Sequence, residues 1–123
     1  MKNFLLVFIG GGLGSLSRYA LSFIFPADKG QWPWSTFLAN TIACLTLGFI
    51  LGIMTDKIPN QQVYRLFWIT GFCGGFSTFS TFSAESLQTF QQGNTILSLS
   101  YMLLSIVTCV LSIALGQWLG KLI

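Results

Sequence analysis

Four long apolar runs, at residues 4–25, 34–54, 64–90 and 96–119, leave this chain little choice of fold. A helix needs about 20 largely apolar residues to cross the hydrocarbon core of a bilayer, so four crossings consume nearly all of the 123 residues. Charged side chains make up only 7% of the sequence, against about 25% in an ordinary soluble domain. The fold class predicted is therefore all-α integral membrane: a single four-helix domain over residues 1–123, embedded in lipid, with no room for a soluble module.

The connections carry turn-forming residues: Pro26 and Asp28-Lys29-Gly30, then Asp56-Lys57 and Pro59-Asn60, then Gly93-Asn94. Lys2 followed by an apolar run also fits the start of a secretory signal peptide, but Arg18 and the glycines around it suit a retained helix better. Cys44, Cys73 and Cys109 are odd in number, lie inside apolar runs and lack metal-ligand spacing, so they read as small packing residues. The net charge of +3 is scattered along loops and ends, which excludes the basic cluster that grips nucleic acid. With four crossings, Lys2, Lys57, Arg65 and Lys121 fall on one side, against Lys29 on the other with Arg18 nearer to it. This modest bias favours a cytoplasmic N-terminus.

Polar groups in hydrocarbon are costly unless paired or wetted, so function is sought at polar positions inside the helices. In the fourth run, Tyr101, Ser105, Thr108 and Ser112 recur at i, i+4, i+7 and i+11, within a stripe about 60° wide and about 16 Å long. Single hydroxyls usually bond back to their own helix or assist packing; four in register point to a lining face. Ser98, about 60° from the Tyr101 direction, falls outside it. Asn40 in the second run has Thr36 one turn before and Ala43 and Cys44 one turn after, and it suits either helix pairing or a path. Gly10, Gly11, Gly12 and Gly14 allow close helix approach. Arg18 and Glu85 must snorkel, pair or face water, and the two have opposite charges with which to pair.

The third run contains "GFCGGFSTFSTFS", residues 71–83, a poor helix by composition. Gly71, Gly74 and Gly75 permit unusual backbone angles, and Ser77, Thr78, Ser80, Thr81 and Ser83 offer hydroxyls to freed backbone groups, so a break near the middle is expected. Broken membrane helices expose carbonyls that coordinate ions. Phe79 and Phe82 lie one turn apart among hydroxyls, where the positive edges of their rings suit an anion.

Three segments, "GGGLGSLSRY", "STFLANTIA" and "GFCGGFSTFSTFSAE", together with the length and the four-helix plan, resemble the small bacterial fluoride channels of the Fluc or CrcB family. The resemblance implies a channel and not an enzyme, located in the bacterial inner membrane. It implies a homodimer of antiparallel subunits, inserted in opposite orientations and enclosing two fluoride pores. Asn40, Phe79, Ser80 and Phe82 match its pore positions, and Tyr101, Ser105 and the neighbouring hydroxyls Thr108 and Ser112 its polar track. The backbone carbonyls of Gly74 and Ser77 would hold a central Na⁺ with their counterparts in the second subunit. Arg18 and Glu85 also match family positions, without a definite role.

The chemistry of the residues agrees. Fluoride is small, strongly hydrated and a strong hydrogen-bond acceptor, so a selective lane needs many donors and no fixed charge that would trap the ion. A proton-coupled multidrug exporter of similar size is an alternative, but it requires a central carboxylate, and Glu85 lies late in its helix. A non-transporting assembly protein, with glycines and hydroxyls serving only packing, leaves the hydroxyl stripe without a purpose.

Overall fold

The computed structural model describes residues 1–26, 30–54 and 59–123. The turn signals at Asp28-Lys29 and Asp56-Lys57 lie outside the described residues. Gly30 and Gly93, at φ of 82° and 83°, and Asn60, at φ of 57°, take left-handed backbone, as turns require of glycine and tolerate in asparagine.

Helices account for the described chain from end to end: α1 Lys2–Ile24, α2 Trp34–Ile53, α3 Gln61–Tyr64, a π-helical stretch Arg65–Cys73, α4 Gly74–Phe76, α5 Phe79–Gln91 and α6 Thr95–Lys121. Among the described residues, α1, α2 and α6 are long and apolar enough to cross a membrane as single helices. Their outward faces expose Phe4, Phe8 and Leu16 on α1 and Leu103, Val110, Leu111 and Trp118 on α6, the surface expected of a multi-pass protein solvated by lipid tails.

The helices associate in two pairs, α1 against the π stretch and α4, and α2 along α6, with α5 leaning on α6. Small residues make both contacts possible. A Cβ on Gly14 would collide with the Phe72 carbonyl of the π stretch, and one on Gly116 with the Leu45 carbonyl of α2. In hydrocarbon, where burial of apolar surface brings no advantage over lipid, such close backbone approach is what holds helices together. Between the pairs lies a small core of Ala39, Ala43 and Phe76, with Leu21 and Phe72 against it.

The third run breaks at Ser77 and Thr78, both extended, with φ/ψ of −75°/157° and −151°/114°. The expectation that its glycines supply the unusual angles is overturned. Gly74 is right-handed helical at −63°/−37°, and the positive-φ glycines among the described residues are Gly30 and Gly93. Gly71 and Gly75 instead face α1, where a Cβ on Gly75 would strike the Gly11 backbone. The glycines are there for close approach, and the hydroxyl residues accommodate the break.

Candidate ion pathway

The break is built from three residues. Ser77 turns both its N–H and its hydroxyl back to the Cys73 carbonyl, at 2.9 and 2.8 Å. Thr78 caps α5: its hydroxyl oxygen accepts from the Thr81 N–H at 3.2 Å and lies 3.0 Å from Thr81 Oγ1 and 3.2 Å from Ser80 Oγ. Across from it on α2, Asn40 acts as a surrogate peptide. Its Oδ1 accepts the Thr78 N–H at 2.7 Å and its Nδ2 donates to the Thr78 carbonyl at 3.3 Å. Both backbone groups of Thr78, which is 8% exposed, are thereby satisfied away from water.

These bonds redirect two others. In an unbroken helix the Thr78 N–H would reach the Gly74 carbonyl and the Thr81 N–H the Ser77 carbonyl. Here the first goes to Asn40 and the second to the Thr78 hydroxyl, which takes these donors away from Gly74 and Ser77. Gly74 is exposed, and Ser77 is half-buried.

A cavity of about 300 Å³ opens beside the break, lined by Asn40, Phe79, Phe82 and Ser105 with Ser77 and Thr78. An amide carries two N–H donors, so after bonding Thr78 the Asn40 side chain retains one. Ser105 is 5% exposed, and its hydroxyl has no hydrogen-bond partner. The Phe79 and Phe82 rings stand 5.7 Å apart, tilted by 42°; Phe82 is buried, while Phe79 is 79% exposed. Ser80 is exposed and reaches Thr78 but does not line this cavity.

The hydroxyl stripe divides. Tyr101 is 1% exposed, its ring packed on Phe82 at 5.2 Å, but its hydroxyl donates to Glu85 Oε2 at 2.9 Å and it does not line the cavity shared by Asn40 and Ser105. Thr108 and Ser112 are half-buried and do not line it. Cys109, one residue round the helix from Thr108, does, and so does Cys44 on α2.

A second cavity, of about 330 Å³, meets the first at Thr78 and is lined by Arg18, Ser15, Thr36, Thr81 and Glu85 among others. The structure brings Arg18 and Glu85 to one space without bonding them. Glu85 Oε1 accepts from Thr36 Oγ1 at 2.7 Å and Oε2 from Tyr101, while Arg18 Nε is buried with no partner. Thr36 beside Asn40 and Thr78 among the hydroxyls of the third run have partners, Glu85 and Asn40, that lie far off in sequence. Threonine is a favoured N-cap residue, and Thr78 in "STFST" takes that place before α5.

The chain matches, over residues 5–117, the family described as CrcB-like protein, Camphor Resistance (CrcB). It is 39% identical to the fluoride-specific ion channel FluC of Phocaeicola vulgatus, across 98% of this chain and the whole of that protein. Identity to the protein of the same name in Pyrococcus abyssi is also 39%, across 98% of both chains, and to FluC 1 of Streptomyces coelicolor 32%, across 94% of this chain and 75% of the other. Matches of this extent run through all the helices and the break itself, and on them the chain belongs to the CrcB-like family.

Proposed function

We propose that the chain is a fluoride channel that lets cytoplasmic fluoride leave the cell passively. The observation that carries the reading is the buried Ser105 hydroxyl without a partner, facing the same cavity as Asn40 and the two phenylalanines. A buried donor left unmade costs about 1–3 kcal/mol, a cost that a transient acceptor removes. Fluoride, dehydrated as it enters, is such an acceptor; Asn40, Ser105 and the Phe79 and Phe82 ring edges take over from water, with Ser80, Tyr101, Thr108 and Ser112 serving the approaches. Neutral HF crosses lipid, ionises in the less acidic cytoplasm and is trapped there. A negative-inside potential then drives the anion out at about 2.3 kcal/mol per charge per 100 mV. Expressed in a bacterium that cannot export fluoride, the chain should restore growth on fluoride; unchanged sensitivity with the protein present in the inner membrane refutes the reading.

The working unit in this proposal is an antiparallel homodimer with a Na⁺ between subunits. The diverted donors at Thr78 and Thr81 support it, because they leave the Gly74 and Ser77 carbonyls as hard oxygen ligands of the kind that suits such a cation. Backbone carbonyls are a fitting donor set for a hard cation such as Na⁺. The ion's part is structural, neutralising carbonyl dipoles where two breaks meet. A Cβ on Gly74 meets nothing closer than the Ile69 carbonyl at 3.9 Å within one chain. Gly74→Val should therefore fold but lose both dimer stability and its dependence on Na⁺ over a large organic cation; a dimer indifferent to the substitution and to Na⁺ places the ion elsewhere.

A further inference from the structure

Two of the three cysteines do something the third does not. Cys44 on α2 and Cys109 on α6 are half-buried and both line the cavity beside the break. Cys73 is buried at 5% exposure and does not line it. The placement follows from helical spacing. Cys44 is one turn after Asn40, and Cys109 is one turn after Ser105, so each helix presents a hydrogen-bonding side chain and then a sulfur to the same space. One end of the cavity offers an amide and an unpartnered hydroxyl; the other offers two thiols from opposite walls.

We propose that Cys44 and Cys109 form a two-sulfur site for a soft, thiophilic cation of the Cu⁺, Ag⁺ and Hg²⁺ class, and that its occupation obstructs the path past Asn40 and Ser105. Soft thiolate ligands select such ions over the hard cations that oxygen ligands hold. Two sulfurs lining one cavity from two packed helices are placed to take an ion between them. Each thiol gives up its proton to solvent as its sulfur bonds the metal, so Hg²⁺ and two thiols yield a neutral S–Hg–S bridge and two protons, with no electron transferred. The bridge ties α2 to α6 and adds a heavy atom to a cavity of about 300 Å³. A monovalent cation in the same place leaves one net negative charge, which repels an anion as well as blocking it.

The obstruction rests on the proposed channel function; the site itself does not, and one experiment separates them. The full chain carrying Cys73→Ala is reconstituted in liposomes, reduced and loaded with Hg²⁺, then washed with a competing monothiol. The pair should retain one Hg²⁺ per chain about a hundredfold more tightly than the same protein with Cys44→Ala or Cys109→Ala, the scale expected when a second ligand is already in place. Retention no better than in either single-thiol variant overturns the site. Fluoride efflux should fall on loading and return when excess dithiol strips the metal; efflux unaffected by retained Hg²⁺ overturns the obstruction. Absence of efflux before any Hg²⁺ is added refutes the channel reading instead, and the retention comparison still decides the site.

Discussion

Asn40 meets the backbone of Thr78 with both ends of its amide and still borders the cavity, so it joins helices and is placed to line the proposed path. Its sequence context left those two roles as alternatives, because only the break, three-dimensionally opposite it, supplies the second peptide. Asn40→Ala leaves the N–H and C=O of buried Thr78 without partners and should lower stability by about 1–3 kcal/mol, read as thermal unfolding in detergent; a variant as stable as the parent contradicts the surrogate-peptide role. Asn40→Asp keeps the acceptor but places a carboxylate in the path. Unit charges 4 Å apart repel by about 4 kcal/mol even at a protein-surface dielectric, so efflux should fall by at least about tenfold wherever that group ionises. Two serines on α6 make a sharper contrast. Ser105 has no partner to lose, so Ser105→Ala should not lower stability and, by removing an unsatisfied buried hydroxyl, should raise it by up to about 1–3 kcal/mol while slowing efflux. Ser98, by helical count a neutral control, is fully buried and donates to the Ser86 carbonyl at 2.7 Å. Ser98→Ala should cost stability first, about 1–3 kcal/mol, and the reverse ordering of the two serines would contradict the assignment. Tyr101 shows why spacing alone was insufficient: a shared stripe fixes the face of a helix, not the direction of a hydroxyl that finds Glu85.

At the scale of elements, the long apolar runs announced α1, α2 and α6, because length and hydropathy are local properties. The break in the third run was legible from its composition, but its cause was misread there. Glycine relaxes backbone limits and also lets helices touch, and only tertiary contact decides between the two uses. At Gly75 the contact with the Gly11 backbone decides it. The π-helical stretch Arg65–Cys73 was not legible in the sequence, whose apolar pattern there does not separate it from an α-helix. The α2–α6 pairing was present in the sequence as Gly48 and Gly52 facing Gly116 and Gly120, each pair one turn apart. Gly116→Val should separate these helices at a cost of about 1–3 kcal/mol or more, seen as loss of the folded species on size exclusion. Gly12 has nothing within 4 Å of its Cβ direction, and Gly12→Ala should be tolerated; equal tolerance at both sites would contradict the packing described.

For the molecule as a whole, one subunit carries a cavity flanked by Phe79, a ring left 79% exposed, and redirected hydrogen bonds beside an exposed Gly74. A second copy in the opposite orientation would cover both, and the weak asymmetry of Lys and Arg between the two sides is compatible with insertion either way. Single cysteines at Lys2 and at Lys121, introduced into a chain lacking Cys44, Cys73 and Cys109, should each label from both faces of the membrane; labelling from one face alone contradicts dual insertion. The cavity that Asn40 and Ser105 line holds donors and no charged residue, which suits a strongly hydrated, hydrogen-bond-accepting anion. The direct measurement is anion efflux from liposomes containing the purified protein, with fluoride and chloride compared under the same potential. Rapid fluoride efflux with chloride retained is the predicted result; equal efflux of the two anions, or none of either from correctly folded protein, would contradict it.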